Sequence, residues 1–167
     1  SFYLIHSMPG NWLVFLNEEK KIVAYWVFIA LKEEAYKEIG AGKVNELDIC
    51  LEDARFIDMP GIYKGYLLIC GTIAELRTPQ VVNTLYSSWL MFVENCANQG
   101  ILFSEIASMV GSAAGNSSLQ NIGMKYYADY DFGGKMYKYD MTQAWEIDFL
   151  RKNYPMLCEI YKKEFGS

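Results

Sequence analysis

Histidine is almost missing from this chain: His6 is the only one in 167 residues. A Ser-His or Cys-His nucleophile system needs an imidazole base, so that chemistry would rest on one residue near the first. Cysteine is sparse too. Cys50, Cys70, Cys96 and Cys158 are widely spaced, with no pair at metal-ligand spacing. Three of them lie in apolar runs, which fits buried free thiols in a reducing compartment. The expectation is a cytoplasmic protein without a bound metal. No HExxH segment and no P-loop occurs. Long apolar runs are absent as well. The longest, residues 22–31, has ten residues, too few to cross a bilayer, so no membrane partner is expected. Excess positive charge is lacking: 15 Lys and Arg stand against 20 Asp and Glu, for a formal charge of −5. Broad nucleic-acid binding, which needs clustered cations to neutralise phosphates, is excluded as the expectation.

What is there describes a packed domain. Hydrophobic residues make up 52% and aromatics 16%, enough for one core without staples and unlike a disordered chain. The start at Ser1 reads as a trimmed fragment that lacks N-terminal parts of the natural fold. Acid is concentrated between Lys32 and Asp58, where Glu33, Glu34, Glu38, Glu46, Asp48, Glu52, Asp53 and Asp58 face only Lys32, Lys37, Lys43 and Arg55. A solvated face is the simpler account; a cationic partner is the sharper one.

Along the chain, residues 12–16 and 22–31 are aromatic and β-branched around the polar link Asn17-Glu18-Glu19-Lys20-Lys21, a hairpin signature. Residues 32–39 suit one or two helical turns ended by Gly40-Ala41-Gly42. Residues 44–51 alternate imperfectly and suggest an edge strand. Residues 66–74 are nearly continuous apolar, as in a central strand covered on both faces. Thr78-Pro79 then supplies an N-cap and a first-turn proline. Val82, Leu85, Tyr86, Trp89, Val93, Cys96 and Ala97 recur at helical spacing up to a stop at Gly100. Residues 101–107 form the next strand. A long helix between two strands predicts parallel neighbours with a right-handed crossover. Residues 111–116 are a loop or a helix start. Residues 125–130 and 135–141 flank Gly133-Gly134 as a hairpin. Residues 142–153 and 155–165 are helical, broken at Tyr154-Pro155.

A helix that starts at Arg77-Thr78-Pro79-Gln80 aims backbone N–H groups at a strand end, a geometry suited to phosphate. Counting back about twenty residues from Gly100 gives Gln80-Val81-Val82-Asn83-Thr84-Leu85. Later comes Leu119-Gln120-Asn121-Ile122-Gly123-Met124-Lys125, followed by a glycine-turn hairpin. Together these resemble the GNAT acyltransferases, which use acetyl-CoA. Their phosphate loop reads Q/R-x-x-G-x-G/A and opens the long helix, and a Gly-Phe or Gly-Met pair precedes their last hairpin. Here Gln80 and Gly123-Met124 are retained, while Asn83 and Leu85 stand at the small positions. The resemblance covers roughly residues 12–141.

It implies an α/β (α+β) fold: a mixed, twisted central sheet with flanking helices, short of some usual N-terminal elements. Residues 1–141 would be the GNAT-like domain, and residues 142–167 a helical extension packed on it. It implies an acyl-CoA co-substrate and transfer of an acetyl or other acyl group to a small-molecule or peptide amine, with a homodimer compatible. Amides of Val81, Val82, Asn83 and Thr84 would cradle the CoA pyrophosphate beside Leu76, Arg77 and Gln80. Ser112 or Asn116 would stand for the family's asparagine. Glu75, at the end of the apolar strand, is the candidate base, with Glu105 second. The family's tyrosine position is Leu119, so a neighbour such as Tyr126, Tyr127 or Tyr130 would protonate the leaving thiolate, with Tyr127 favoured. The substitutions at Asn83, Leu85 and Leu119 motivate an alternative, a degenerate GNAT-like module that binds a ligand or partner without transfer.

Overall fold

A computed structural model describes residues 11–167; His6 and the rest of residues 1–10 lie outside the described residues. Within them, β1 (Trp12–Leu16) and β2 (Ile22–Leu31) form the expected hairpin, followed by α1 (Glu33–Gly40). Then come β3 (Gly61–Thr72), α2 (Pro79–Asn98), β4 (Ile101–Val110), α3 (Ala113–Asn121), β5 (Lys125–Asp129) and β6 (Lys135–Asp140). The chain ends in a 3-10 segment, Met141–Glu146, and in α4 (Asp148–Asn153) and α5 (Pro155–Phe165). The described strands make one mixed sheet in the order β1-β2-β3-β4-β6-β5. Only β3 and β4, joined through α2, run parallel among the described pairs. That is the arrangement a helical crossover imposes.

Two expectations fail. Residues 44–51 make no strand; they form two 3-10 turns, Glu46–Asp48 and Leu51–Asp53. Local side chains decide this. The Asn45 carboxamide accepts from the Leu47 amide at 3.0 Å, and the Asp53 carboxylate from the Cys50 amide at 3.0 Å. Such bonds offer the backbone an alternative to a ladder. The expected helix over residues 142–153 is also broken, with non-helical backbone at Gln143.

Apolar packing covers both faces of the sheet. On one face α2 buries Leu85, Trp89, Leu90 and Val93 against Phe28, Leu67 and Phe103, joined by Leu157 and Tyr161 of α5. The C-terminal helices thus share this core. The Phe103 amide donates to the Tyr161 hydroxyl at 2.7 Å, where a register shift between β3 and β4 skips Ser104. On the other face α1 places Tyr36 and Ile39 over Val27, Ile29, Tyr66, Leu68, Ala107 and Met136. Gly100, at φ 77°, ends α2 in the left-handed conformation. Its carbonyl accepts from the Gly61 amide at 3.0 Å, which sets β4 beside β3.

Gly65 is required by packing. A Cβ there would lie 2.5 Å from Cζ of Phe28 and 3.1 Å from Cδ1 of Phe103, two rings whose centroids are 4.9 Å apart. Gly65→Ala is expected to lower stability by about 1–3 kcal/mol, the usual cost of overpacking. Urea unfolding would show a lower midpoint at unchanged slope; an unmoved midpoint would contradict this packing.

Candidate functional site

The sheet opens between its two parallel strands. Pairing of β3 with β4 runs from Gly61 opposite Ile101 to Leu67 opposite Ser108 and stops. Beyond that point β3 stays on β2 as far as Thr72, and β4 stays on β6 as far as Val110. The cause lies in β3. Val27 faces Ile69 and Phe28 faces Leu67, so Leu68 is an extra residue against β2. A bulge of this kind bends its strand and ends pairing locally. At the fork the Ser108 hydroxyl donates to the Leu67 carbonyl at 3.1 Å, buried.

A cavity of about 210 Å³ occupies the opening. Cys70, Gly71 and Thr72 of β3 form one wall, Val82, Leu85 and Tyr86 of α2 the second, and Ser112, Gly115 and Ser118 at α3 the third, with Arg77 at the rim. A neighbouring cavity of about 320 Å³ continues between α2, α3 and α4 and shares Val82, Tyr86 and Ser118 with the first. Burial pushes the Cys70 thiol up to about 12, against a hydrogen bond from Tyr86 that pulls it down. At neutral pH it is therefore a thiol and a poor nucleophile.

Two helix N-termini meet this opening. At α2 the Thr78 hydroxyl accepts from the Val81 amide at 3.2 Å, and the Val82 amide bonds the Thr78 carbonyl at 3.0 Å. Pro79 has no N–H, so Gln80 carries the outward amide of this first turn, next to Leu76 and Arg77. Val82, Asn83 and Thr84 lie inside the helix. At α3 the Ser112 hydroxyl accepts from the Gly115 amide at 3.1 Å. The Asn116 carboxamide oxygen is buried with no hydrogen-bond partner among the described residues.

The expected acid–base residues are not brought together. Glu75 is exposed on the 3-10 turn Ala74–Leu76 that follows β3. Tyr127 is half exposed on β5, the far edge strand, with the Lys138 ammonium 3.7 Å from its ring centroid. β4 and β6 lie between β5 and β3, a separation of roughly 14 Å at the usual strand spacing. Glu105 is held by Lys64 at 2.7 Å. Tyr126 donates to Asp129, and Tyr130 accepts from the Glu46 amide.

Glu46 is the carboxylate that sequence inspection passed over. It lies on the face opposite the cavity. The Tyr66 hydroxyl of β3 donates to its Oε1 at 2.5 Å, and its own amide donates to the Tyr130 hydroxyl at 2.9 Å. Burial pushes the carboxyl up to about 7, while the Tyr66 hydrogen bond acts in the opposite direction. Nothing in Asn45-Glu46-Leu47-Asp48 marks it out from the acids around it. Its distinguishing partners are 20 and 84 residues away.

No helix among the described residues is long and apolar enough to cross a membrane. Comparison with known family models and with curated proteins gave no match for this chain.

Proposed function

We propose that this protein is an acyl-CoA-dependent N-acyltransferase of the GNAT type. The observation that carries the reading is the fork between β3 and β4 with a cavity and two helix N-termini beside it. Past the fork, each strand keeps one hydrogen-bonding edge turned toward the gap. Open edges of that kind take up an extended chain of amides as an added strand. The pantetheine arm of CoA is such a chain, with its thioester at one end and its pyrophosphate at the other. Anions favour helix N-termini, and arginine binds phosphate through charge-assisted hydrogen bonds. Arg77, the Gln80 amide and the first turn of α3 supply both at the rim.

The helix boundary adjusts the motif. If Q/R-x-x-G-x-G/A opens the long helix and the helix opens at Pro79, then Arg77 takes the Q/R position. Gln80 and Val82 then take the small positions, and Leu85 becomes a core residue, 2% exposed. The pyrophosphate would rest on Arg77 and the Gln80 amide, since the amides of Val82 to Thr84 belong to helical positions.

Side chains at both small positions favour a second reading, a degenerate module that binds a ligand without transfer. Calorimetric titration with CoA separates the cases when paired with a turnover assay. The expected result is saturable CoA binding, weakened about tenfold or more in Arg77→Ala by loss of a hydrogen bond to a charged group. Absence of binding at millimolar CoA defeats the acyltransferase reading and leaves a module for another ligand or partner; binding without turnover of any amine favours the second.

A further inference from the structure

The N-terminal turn of α3 meets the fork. Its last residues, Gln120 and Asn121, line a different cavity of about 580 Å³. The helix has nine residues, roughly 13 Å at the usual rise per residue, which sets this cavity apart from the fork. It shares Asn121 and Phe149 with the 320 Å³ cavity and no residue with the fork cavity. We infer that it binds a small zwitterion, a free α-amino acid, with the carboxylate on Lys138 and Lys125 and the ammonium on Glu146 and Asp148. The site does not depend on the acyl-CoA reading.

Gly123 brings the walls together. It sits at φ 89°, and a Cβ there would lie 2.7 Å from Cγ2 of Ile147 and 3.6 Å from Cβ of Phe149. Without a side chain at that turn, the segment entering α4 closes on it. The end of β6 and the start of α4 therefore line one cavity.

The lining carries both signs of charge. Lys125 and Lys138 stand directly opposite each other in the β5–β6 ladder, and like charges so placed repel. Neither has a carboxylate within ion-pair distance among the described residues, and Glu105 is held by Lys64. Lys138 is half-buried, with its ammonium 3.7 Å from the Tyr127 ring centroid and 5.2 Å from that of Tyr36. Burial lowers its pKa, against Glu105 and together with Lys64. A partly desolvated ammonium of this kind gains from an anion that hydrogen-bonds to it. The acids come from the C-terminal segment. Glu146 has no cation at ion-pair distance among the described residues, and Asp148 gives one oxygen to Arg151. Asp140 also lines the cavity, but its Oδ1 accepts from the Thr142 amide at 3.1 Å and from the Thr142 hydroxyl at 2.6 Å. A simple anion would meet Glu146 and Asp148, and a simple cation would meet two lysines. A molecule with both charges matches both, and Ile147 and Phe149 offer its side chain an apolar surface.

The test is calorimetric titration of the full chain with L-leucine, L-phenylalanine and L-glutamine. Saturable millimolar binding of at least one is expected. Its amide, which lacks the carboxylate, and its des-amino acid, which lacks the ammonium, should each bind about tenfold or more weakly, the loss of a charge-assisted hydrogen bond. Glu146→Gln and Lys138→Met should each weaken the amino acid by about the same factor. Glu146 is exposed, so its variant should melt as wild type does. The methionine keeps an apolar stem against Tyr127 and Tyr36. Arg77→Ala, at the rim of the fork cavity, should leave amino-acid binding unchanged, which separates this site from the CoA reading. Absence of saturable binding for all three amino acids at millimolar concentration overturns the inference. Equal binding of either single-charge analogue does so too, as does undiminished binding in Glu146→Gln or Lys138→Met.

Discussion

On the proposed acyl-CoA reading, Ser118→Trp is expected to abolish CoA binding while shifting the melting temperature by no more than a degree or two. Ser118 lies on α3, where its hydroxyl donates back to the Ala114 carbonyl at 3.0 Å. Such a bond adds little to a helix, and the residue is only half-buried, so the fold does not depend on it. Yet it lines both the 210 Å³ and the 320 Å³ cavities. An indole there fills the passage that a pantetheine arm would follow. The expected loss is at least ~100-fold in Kd, about 2.7 kcal/mol, read by calorimetry beside a thermal melt. Undiminished CoA binding would place the ligand elsewhere on the molecule.

Trp89→Ala is expected to cost about 3–5 kcal/mol of stability, the range for deleting a buried aromatic. At this chain length that lowers the melting temperature on the order of 10 °C. Trp89 is fully buried on α2. Its ring meets Phe28 edge-on at 5.7 Å and stacks on Tyr139 at 6.4 Å, so it ties the crossover helix to β2 and β6 at once. Its indole N–H has no acceptor among the described residues. Both Trp89→Ala and Trp89→Phe remove that donor, but Trp89→Phe keeps an aromatic ring in the core and should therefore cost much less. Equal losses in both variants would contradict the ring contacts with Phe28 and Tyr139 as the source of the stability.

These two residues mark different degrees of legibility. Trp89 was legible as core: it recurs with Leu85, Val93 and Cys96 at helical spacing, and that spacing holds whatever packs against it. Ser118 was not, because a serine in a small polar stretch gains meaning only when two cavities meet at it. The acidic stretch from Lys32 to Asp58 shows the same divide. Its charge was legible. Its backbone was misread where Asn45 and Asp53 capture local amides. Glu46 owes its raised pKa to burial in the folded chain, which the Tyr66 hydrogen bond only partly offsets. Glu75 drew attention because it follows the apolar strand, but the structure places it on an exposed turn beyond the sheet.

Local sequence by itself determined the order of strands and helices, the start of α2 at Thr78-Pro79 and the parallel pairing of β3 with β4, since capping, periodicity and crossover length act over neighbouring residues. The tertiary structure decided where those strands part, which helix ends meet the gap and which carboxylate stands on its far face. Those outcomes depend on a one-residue bulge, on desolvation and on hydrogen bonds between segments up to 84 residues apart, and such long-range terms leave no local periodic trace.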